Sequence, residues 1–294
     1  MTDSEAVARL ATAADLLAAH WERFGPRDES LTPPTWAADI AFAPPLEEWL
    51  GRLELRADWK VQYKKTQESL SVMSSKGVVS VPITSRIYPP QLRSIPVPPP
   101  ILHVAGDVQR LTTGVAVVGS REPSVAGQEA ASTVASWLSA MAVPVITGMA
   151  RGTDQIAARS ASFAGGCVIG ILPGSPLYWT PLECEAEFRQ VSKTGILVGE
   201  TTAAVSVNKS SFLRRNRIIS GIARLVIVPA TKATGGTINQ LQWARRQGRP
   251  SIVYQGGAEQ GFATEMATGL SYHLSPKARL VPTANELWAV PQLD

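Results

Sequence analysis

The chain has 294 residues, 45 % hydrophobic and 18 % charged, a globular composition for one large or two ordinary domains that excludes wholesale disorder. No apolar run approaches the roughly 20 residues of a membrane span, and the acidic start MTDSEAVARL lacks the basic flank of a secretory leader. Two cysteines and three scattered histidines suggest neither a disulfide framework nor a metal set. A cytoplasmic protein without a resident metal or cofactor is therefore expected. The net charge of +4 is unevenly spread. Residues 1–110 carry 12 bases against 13 acids, whereas no acid falls between Glu200 and Glu259. That acid-free stretch holds Lys209, Arg214, Arg215, Arg217, Arg224, Lys232, Arg245, Arg246 and Arg249. A basic block of this kind inside a folded domain favours a polyanionic partner.

In chain order, residues 1–80 read as a smaller helical domain. Met1–His20 has helical apolar spacing at Val7, Leu10, Ala14 and Leu17, and prolines at 33, 34, 44 and 45 break the rest of the region into short helices. Residues 81–110 are too proline-dense for helix and read as an extended connector packed on the next domain. From 111 to 294 short β-branched runs alternate with amphipathic stretches. The runs are VAVV (115–118), VPVIT (143–147), CVIGIL (167–172), GILVG (195–199), RLVIVPA (224–230) and PSIVYQ (250–255). Unalternating apolar strands are buried on both faces. Their alternation with helices predicts an α/β fold with a doubly wound, mainly parallel sheet.

Ligands of such sheets bind at the strand carboxyl ends. Four loops there are rich in glycine and polar residues. In the first, Gly119 lets backbone approach a ligand, while Ser120 and the following amides suit an anion at a helix start. The second, Thr147–Asp154, brackets Arg151 between Gly148 and Gly152. Asp154 reads there as an N-cap or first-turn acid, and Arg151 as a phosphate ligand. The third begins at Asn208 and Lys209. If Ser210 or Ser211 caps its helix, Arg214, Arg215 and Arg217 oppose the helix dipole and call for an anion. Arg214 and Arg217 share a face and Arg215 points elsewhere; one of them can equally brace Glu200. Phe212 suits either base stacking or core packing. The fourth, Thr234-Gly235-Gly236-Thr237, opens a helix and fits a phosphate or a plain flexible start. No histidine lies in any of these loops, and no Ser-His-acid set assembles, so binding is expected rather than catalysis.

Taken together, VAVVGSREPS, ITGMARGTD, FLRRNRIISG and KATGGTINQLQWARRQGR resemble the DNA-processing DprA/Smf family, and YPPQLRSIPVPPPILHVAGD (88–107) is similar to the stretch preceding its nucleotide-fold domain. The likeness spans roughly residues 86–290. It implies an extended Rossmann-like domain that dimerises, binds single-stranded DNA without membrane association, and passes it to a RecA-type recombinase during DNA uptake. By the same likeness Arg121, Arg214, Arg215, Asn216 and Arg217 would contact DNA and Phe212 would flank a base. Gly119, Ser120, Gly148, Arg151, Gly152, Lys209, Thr234, Gly235, Gly236 and Thr237 would complete the pocket. The sequence departs from the family in Gly152-Thr153-Asp154, in its fourth loop, and in residues 1–80, which show no helix-hairpin-helix or sterile-alpha signature. It ends soon after the nucleotide-fold region, so no winged-helix module is expected. The competing readings are a nucleotide sensor and a phosphoribohydrolase of the same superfamily. Asn239, where that hydrolase would need an acid, weighs against the second.

Overall fold

The computed structural model describes residues 3–19, 59–177, 184–232, 235–254 and 271–274. Trp21, Trp36, Trp49, the prolines at 33, 34, 44 and 45, and Thr234 lie outside the described residues. In chain order the elements are α1 (Asp3–Ala19), α2 (Trp59–Ser75), β1 (Val78–Pro82), α3 (Pro90–Arg93), β2 (Ile101–Gly106), β3 (Gly114–Val117), α4 (Val125–Ala140), β4 (Val145–Thr147) and α5 (Thr153–Phe163). They continue with β5 (Val168–Ile171), α6 (Glu185–Thr194), β6 (Ile196–Gly199), α7 (Lys209–Ile222), β7 (Ala223–Val228), α8 (Gly236–Arg246), β8 (Ser251–Tyr254) and β9 (Ser271–Leu274). None of the described helices is long and apolar enough to cross a membrane.

Two compact units emerge, and neither is continuous in sequence. The first comprises Met1–Thr112, Ile171–Thr180 and Ile196–Ile222; the second comprises Thr113–Gly170, Pro181–Gly195 and Ala223–Asp294. The second unit carries the α/β fold expected from the alternation of short runs. Its strands run in the order β5-β4-β3-β7-β8-β9, and every described pair is parallel. From β3 the chain builds outward through β4 to β5, then returns to β7 on the other side of β3. The switch point therefore lies between β3 and β7, and in such sheets the ligand crevice opens there, at the carboxyl ends.

The first unit is antiparallel, in the order β1-β2-β6. Here the structure corrects the expectation for GILVG, which pairs antiparallel with β2 instead of serving only a parallel array. The proline-dense connector supplies that partner strand: Ile101–Gly106 comes after the last proline and is itself apolar. The predicted helical face of α1 is the one that packs. Leu10, Ala14 and Leu17 are buried with Ile101, and Trp59, Tyr63 and Leu70 of α2 close over them. Among the polar groups buried with this core, two are ionisable. His103 on β2 is fully buried, and its Nδ1 lies 2.9 Å from Oγ of the cross-strand residue Ser80. Asp15 on α1 is also fully buried. It accepts hydrogen bonds from Thr202 N (2.9 Å), Thr202 Oγ1 (2.6 Å) and Thr66 Oγ1 (2.7 Å).

Candidate nucleic-acid interface

In the second unit the loops after β3, β4 and β7 are fastened to one another through the backbone. Ser120 N donates to Ala230 O at 2.9 Å, joining the first loop to the segment after β7 across the switch point. Ser120 O accepts from both Thr153 N and Thr153 Oγ1 at 3.0 Å, joining it to the loop after β4. Two glycines make this closeness possible. A Cβ on Gly119 would lie 2.4 Å from Ala230 O; one on Gly152, whose φ is +84°, would lie 2.5 Å from Arg121 O. Side chains at either position would push the loops apart.

The N-cap of α5 is Gly152, and the buried Asp154 is the acid of its first turn, the second of the two places expected for it. Its carboxylate accepts from Gly119 N at 3.2 Å and Gly148 N at 3.0 Å, holding the loops after β3 and β4 in register. Ser120 Oγ accepts from Glu122 N at 3.0 Å, and Ser124 caps α4 by accepting from Gly127 N.

On this fixed backbone sit exposed charges. Arg121, Glu122, Arg151 and Lys232 are all exposed. Glu122 joins two of the bases, with Oε1 3.1 Å from Arg151 Nη2 and Oε2 3.0 Å from Lys232 Nζ. Lys232 and Arg151 together hold its carboxyl below the ordinary range. Gly235 and Gly236 are exposed at the start of α8, and Thr237 is buried there.

The first unit holds the third loop. Its helix is capped by Asn208, not by a serine: Asn208 Oδ1 accepts from Ser211 N at 3.0 Å, and Ser211 Oγ accepts from Asn208 N at 3.2 Å. This reciprocal pair satisfies two amides that the helix start leaves open. Lys209 is exposed and Phe212 half-buried, whereas Arg214, Arg215, Asn216 and Arg217 are buried. The anion that the three arginines call for is internal. Glu200, only 4 % exposed, receives Arg214 Nε at 3.2 Å and Arg217 through both terminal nitrogens. Arg217 Nε donates to Val97 O at 2.8 Å, and Arg215 Nη1 donates to Ile171 O at 3.2 Å. Burial alone would raise the Glu200 carboxyl; the Arg217 and Arg214 guanidiniums outweigh it and hold the group below its usual value. Arg214, Arg215 and Arg217 were expected to offer their charge to DNA phosphates, but the structure turns these side chains inward. Arg121, Arg151 and Lys232 remain at the surface.

Reasoning from sequence missed three working residues. Lys232 is only one of nine bases in the acid-free stretch, and Glu122 falls outside that block. Asp15 has a signal that can be read afterwards: it is the one polar residue in the run from Ala13 to Ala19.

Comparison with known proteins agrees with this topology. The family described as DNA recombination-mediator protein A matches residues 80–291. A DNA processing protein DprA of Bacillus subtilis is 28 % identical over 78 % of this chain and 80 % of its own length. Protein Smf of Escherichia coli is 31 % identical over 66 % of this chain, which spans about half of that relative (52 %). The X-ray structure of DprA from Streptococcus pneumoniae superposes with a TM-score of 0.67, covering 92 % of this chain and 95 % of that one at 21 % identity. A Helicobacter pylori DNA processing protein A, described for its single-stranded DNA binding mode, gives a TM-score of 0.53 at 25 % identity over 56 % of this chain and 77 % of its own.

Proposed function

Because the chain belongs to the DNA recombination-mediator protein A family, we propose that it binds single-stranded DNA and delivers it to a RecA-type recombinase, as a cytoplasmic homodimer acting during DNA uptake and recombination. One observation carries the binding assignment: exposed bases of the loops after β3, β4 and β7 converge at the switch point of a parallel sheet, on a backbone fastened by Ser120, Asp154 and two close-approach glycines. The binding mode described for the Helicobacter pylori relative supports the same reading.

In this reading Arg121, Arg151, Lys209 and Lys232 meet phosphates, and Phe212 stacks on a base. The buried Arg214, Arg215, Asn216 and Arg217 set the helix that presents Lys209 and Phe212. Gly119 and Gly152 let the loops close on one another, and Gly148, Gly235 and Gly236 keep the floor low enough for a strand to approach. The test is a salt titration of binding to oligo-dT and to duplex of equal length. About four phosphate contacts give a log–log slope near −3 for the single strand, and losing Arg121 shallows it by about 0.7. Phe212→Ala costs about 1–3 kcal/mol of affinity without changing the slope. Binding of nucleoside monophosphates without binding of oligo-dT, or release of a free base, would assign the site to the nucleotide-sensing or hydrolytic class instead. Delivery is read as strand exchange by a RecA-type recombinase with and without the protein.

A further inference from the structure

The Glu122 carboxylate is an acid placed among the bases that a strand would need. Its two oxygens are divided between two cations from different loops, Arg151 after β4 and Lys232 after β7. A phosphodiester presents two non-bridging oxygens in the same way. We propose that Arg151 and Lys232 form a phosphate seat across the switch point, and that Glu122 fills it until a backbone phosphate displaces the carboxylate.

The surroundings favour exchange over permanence. The side chains of Glu122, Arg151 and Lys232 are 64 %, 53 % and 47 % exposed, and ion pairs at such sites contribute little and are screened by salt. The backbone beneath does not share this freedom. Glu122 N is held by Ser120 Oγ, and Ser120 O by Thr153, so the carboxylate can leave by side-chain rotation alone. The lowered titration of Glu122 means it is ionised, and so a full competitor, throughout the neutral range. In the free protein it keeps the two cations apart from stray anions and spaced for one. The consequence is selectivity for polyanions: a single phosphate must displace Glu122 alone, whereas a strand displaces it with the help of its neighbouring contacts.

This seat rests on the single-strand reading above and is separable from it by experiment. Oligo-dT binding is titrated with salt for the wild type, Glu122→Gln, Arg151→Gln with Lys232→Gln, and the triple variant. Glu122→Gln is expected to bind about two- to tenfold more tightly, since no resident carboxylate has to leave. Its slope should stay near the wild-type value, because the same phosphate occupies the seat in both proteins and releases the same counterions. In the background lacking Arg151 and Lys232 the same substitution should gain almost nothing. Equal or weaker binding by Glu122→Gln overturns the seat. An equal gain in both backgrounds also overturns it, because removing one negative charge then acts only at long range. A wild type without salt-dependent oligo-dT binding overturns the single-strand reading itself, and the seat with it.

Discussion

Each unit of this protein contains a glutamate holding two cations, and the two arrangements behave oppositely. Glu200 sits in the first unit with its side chain 5 % exposed, gripped by Arg214 and Arg217. Glu122 sits in the second with its side chain 64 % exposed, bridging Arg151 and Lys232. The residue types are nearly the same; the solvent is not. A buried carboxylate cannot exchange its guanidiniums for water, so the Glu200 cluster fixes the position of α7. An exposed one exchanges readily, so the Glu122 cluster is an adjustable surface. Charge counted along a sequence does not separate these cases, and burial does.

The largest consequence falls on Glu200. Glu200→Gln leaves two buried guanidiniums facing a neutral amide, and Arg214 Nη1 already has no hydrogen-bond partner. Breaking a buried pair from one side costs about 3–5 kcal/mol. Urea unfolding should show a loss of that order. A loss below about 1 kcal/mol would mean that water reaches the cluster and that the contrast with Glu122 is false.

Two further buried groups in the first unit sharpen the point through pH. Burial pushes the Asp15 carboxyl up to about 6 despite hydrogen bonds from Thr202, Thr66 and Gln62. Burial also pushes His103 down to about 4, against the pull of Glu200. The signs differ. The stability tied to Asp15 is fully present below its unfolded value of 3.8 and is lost as pH rises through about 6. That tied to His103 is fully present above 6.5 and is lost as pH falls toward about 4. Each is worth about 3 kcal/mol, so in the wild type they largely cancel over this window. Asp15→Asn should therefore make the protein lose stability between about pH 6.5 and 4.5, and His103→Gln should make it gain, in unfolding curves taken across that range. Parallel profiles for the two variants would show that neither group is buried as charged chemistry requires.

At the loop junction of the second unit, Gly152→Ala places a methyl group 2.5 Å from Arg121 O on a residue with φ +84°. The strain should cost about 1–3 kcal/mol, read as a lower thermal midpoint. It should also weaken oligo-dT binding, because the loop carrying Arg121 must shift. A stable variant with unchanged binding would show that the backbone under the exposed charges is not fixed.

Much of the fold is legible in the sequence, for physical reasons that vary by element. The strands β3 to β8 announce themselves because β-branched apolar runs with no polar alternation suit a strand covered on both faces. The antiparallel role of β6 does not, since it depends on β2, which lies about 90 residues earlier behind a run of prolines. The four loops of the candidate site stand out by glycine and polar residues after strands. Which of their arginines face solvent does not, because Arg151 pairs with a glutamate just as Arg214 and Arg217 do, and only the burial of Glu200 separates the two cases. From the sequence Glu200 reads as a brace for one arginine, and it holds two. Asp15 shows the converse: its neighbours in sequence fix its burial, but Thr202, which makes that burial tolerable, is 187 residues away.

The smallest expected effect is the most direct test of the contrast. Glu122→Gln should leave the urea midpoint unchanged, because its two cations are solvated with or without it. Added salt should not alter that outcome, since it screens an interaction that contributes nothing measurable to folding. Glu200→Gln, by contrast, should remain destabilised at high salt, because mobile ions do not enter its enclosure. Measured side by side at low and high salt, the two variants separate a carboxylate that builds the fold from one that waits at its surface. If Glu122→Gln proves destabilising, the charges of the second unit brace its loops as Glu200 braces α7, and exchange with a phosphate would have to work against that bracing.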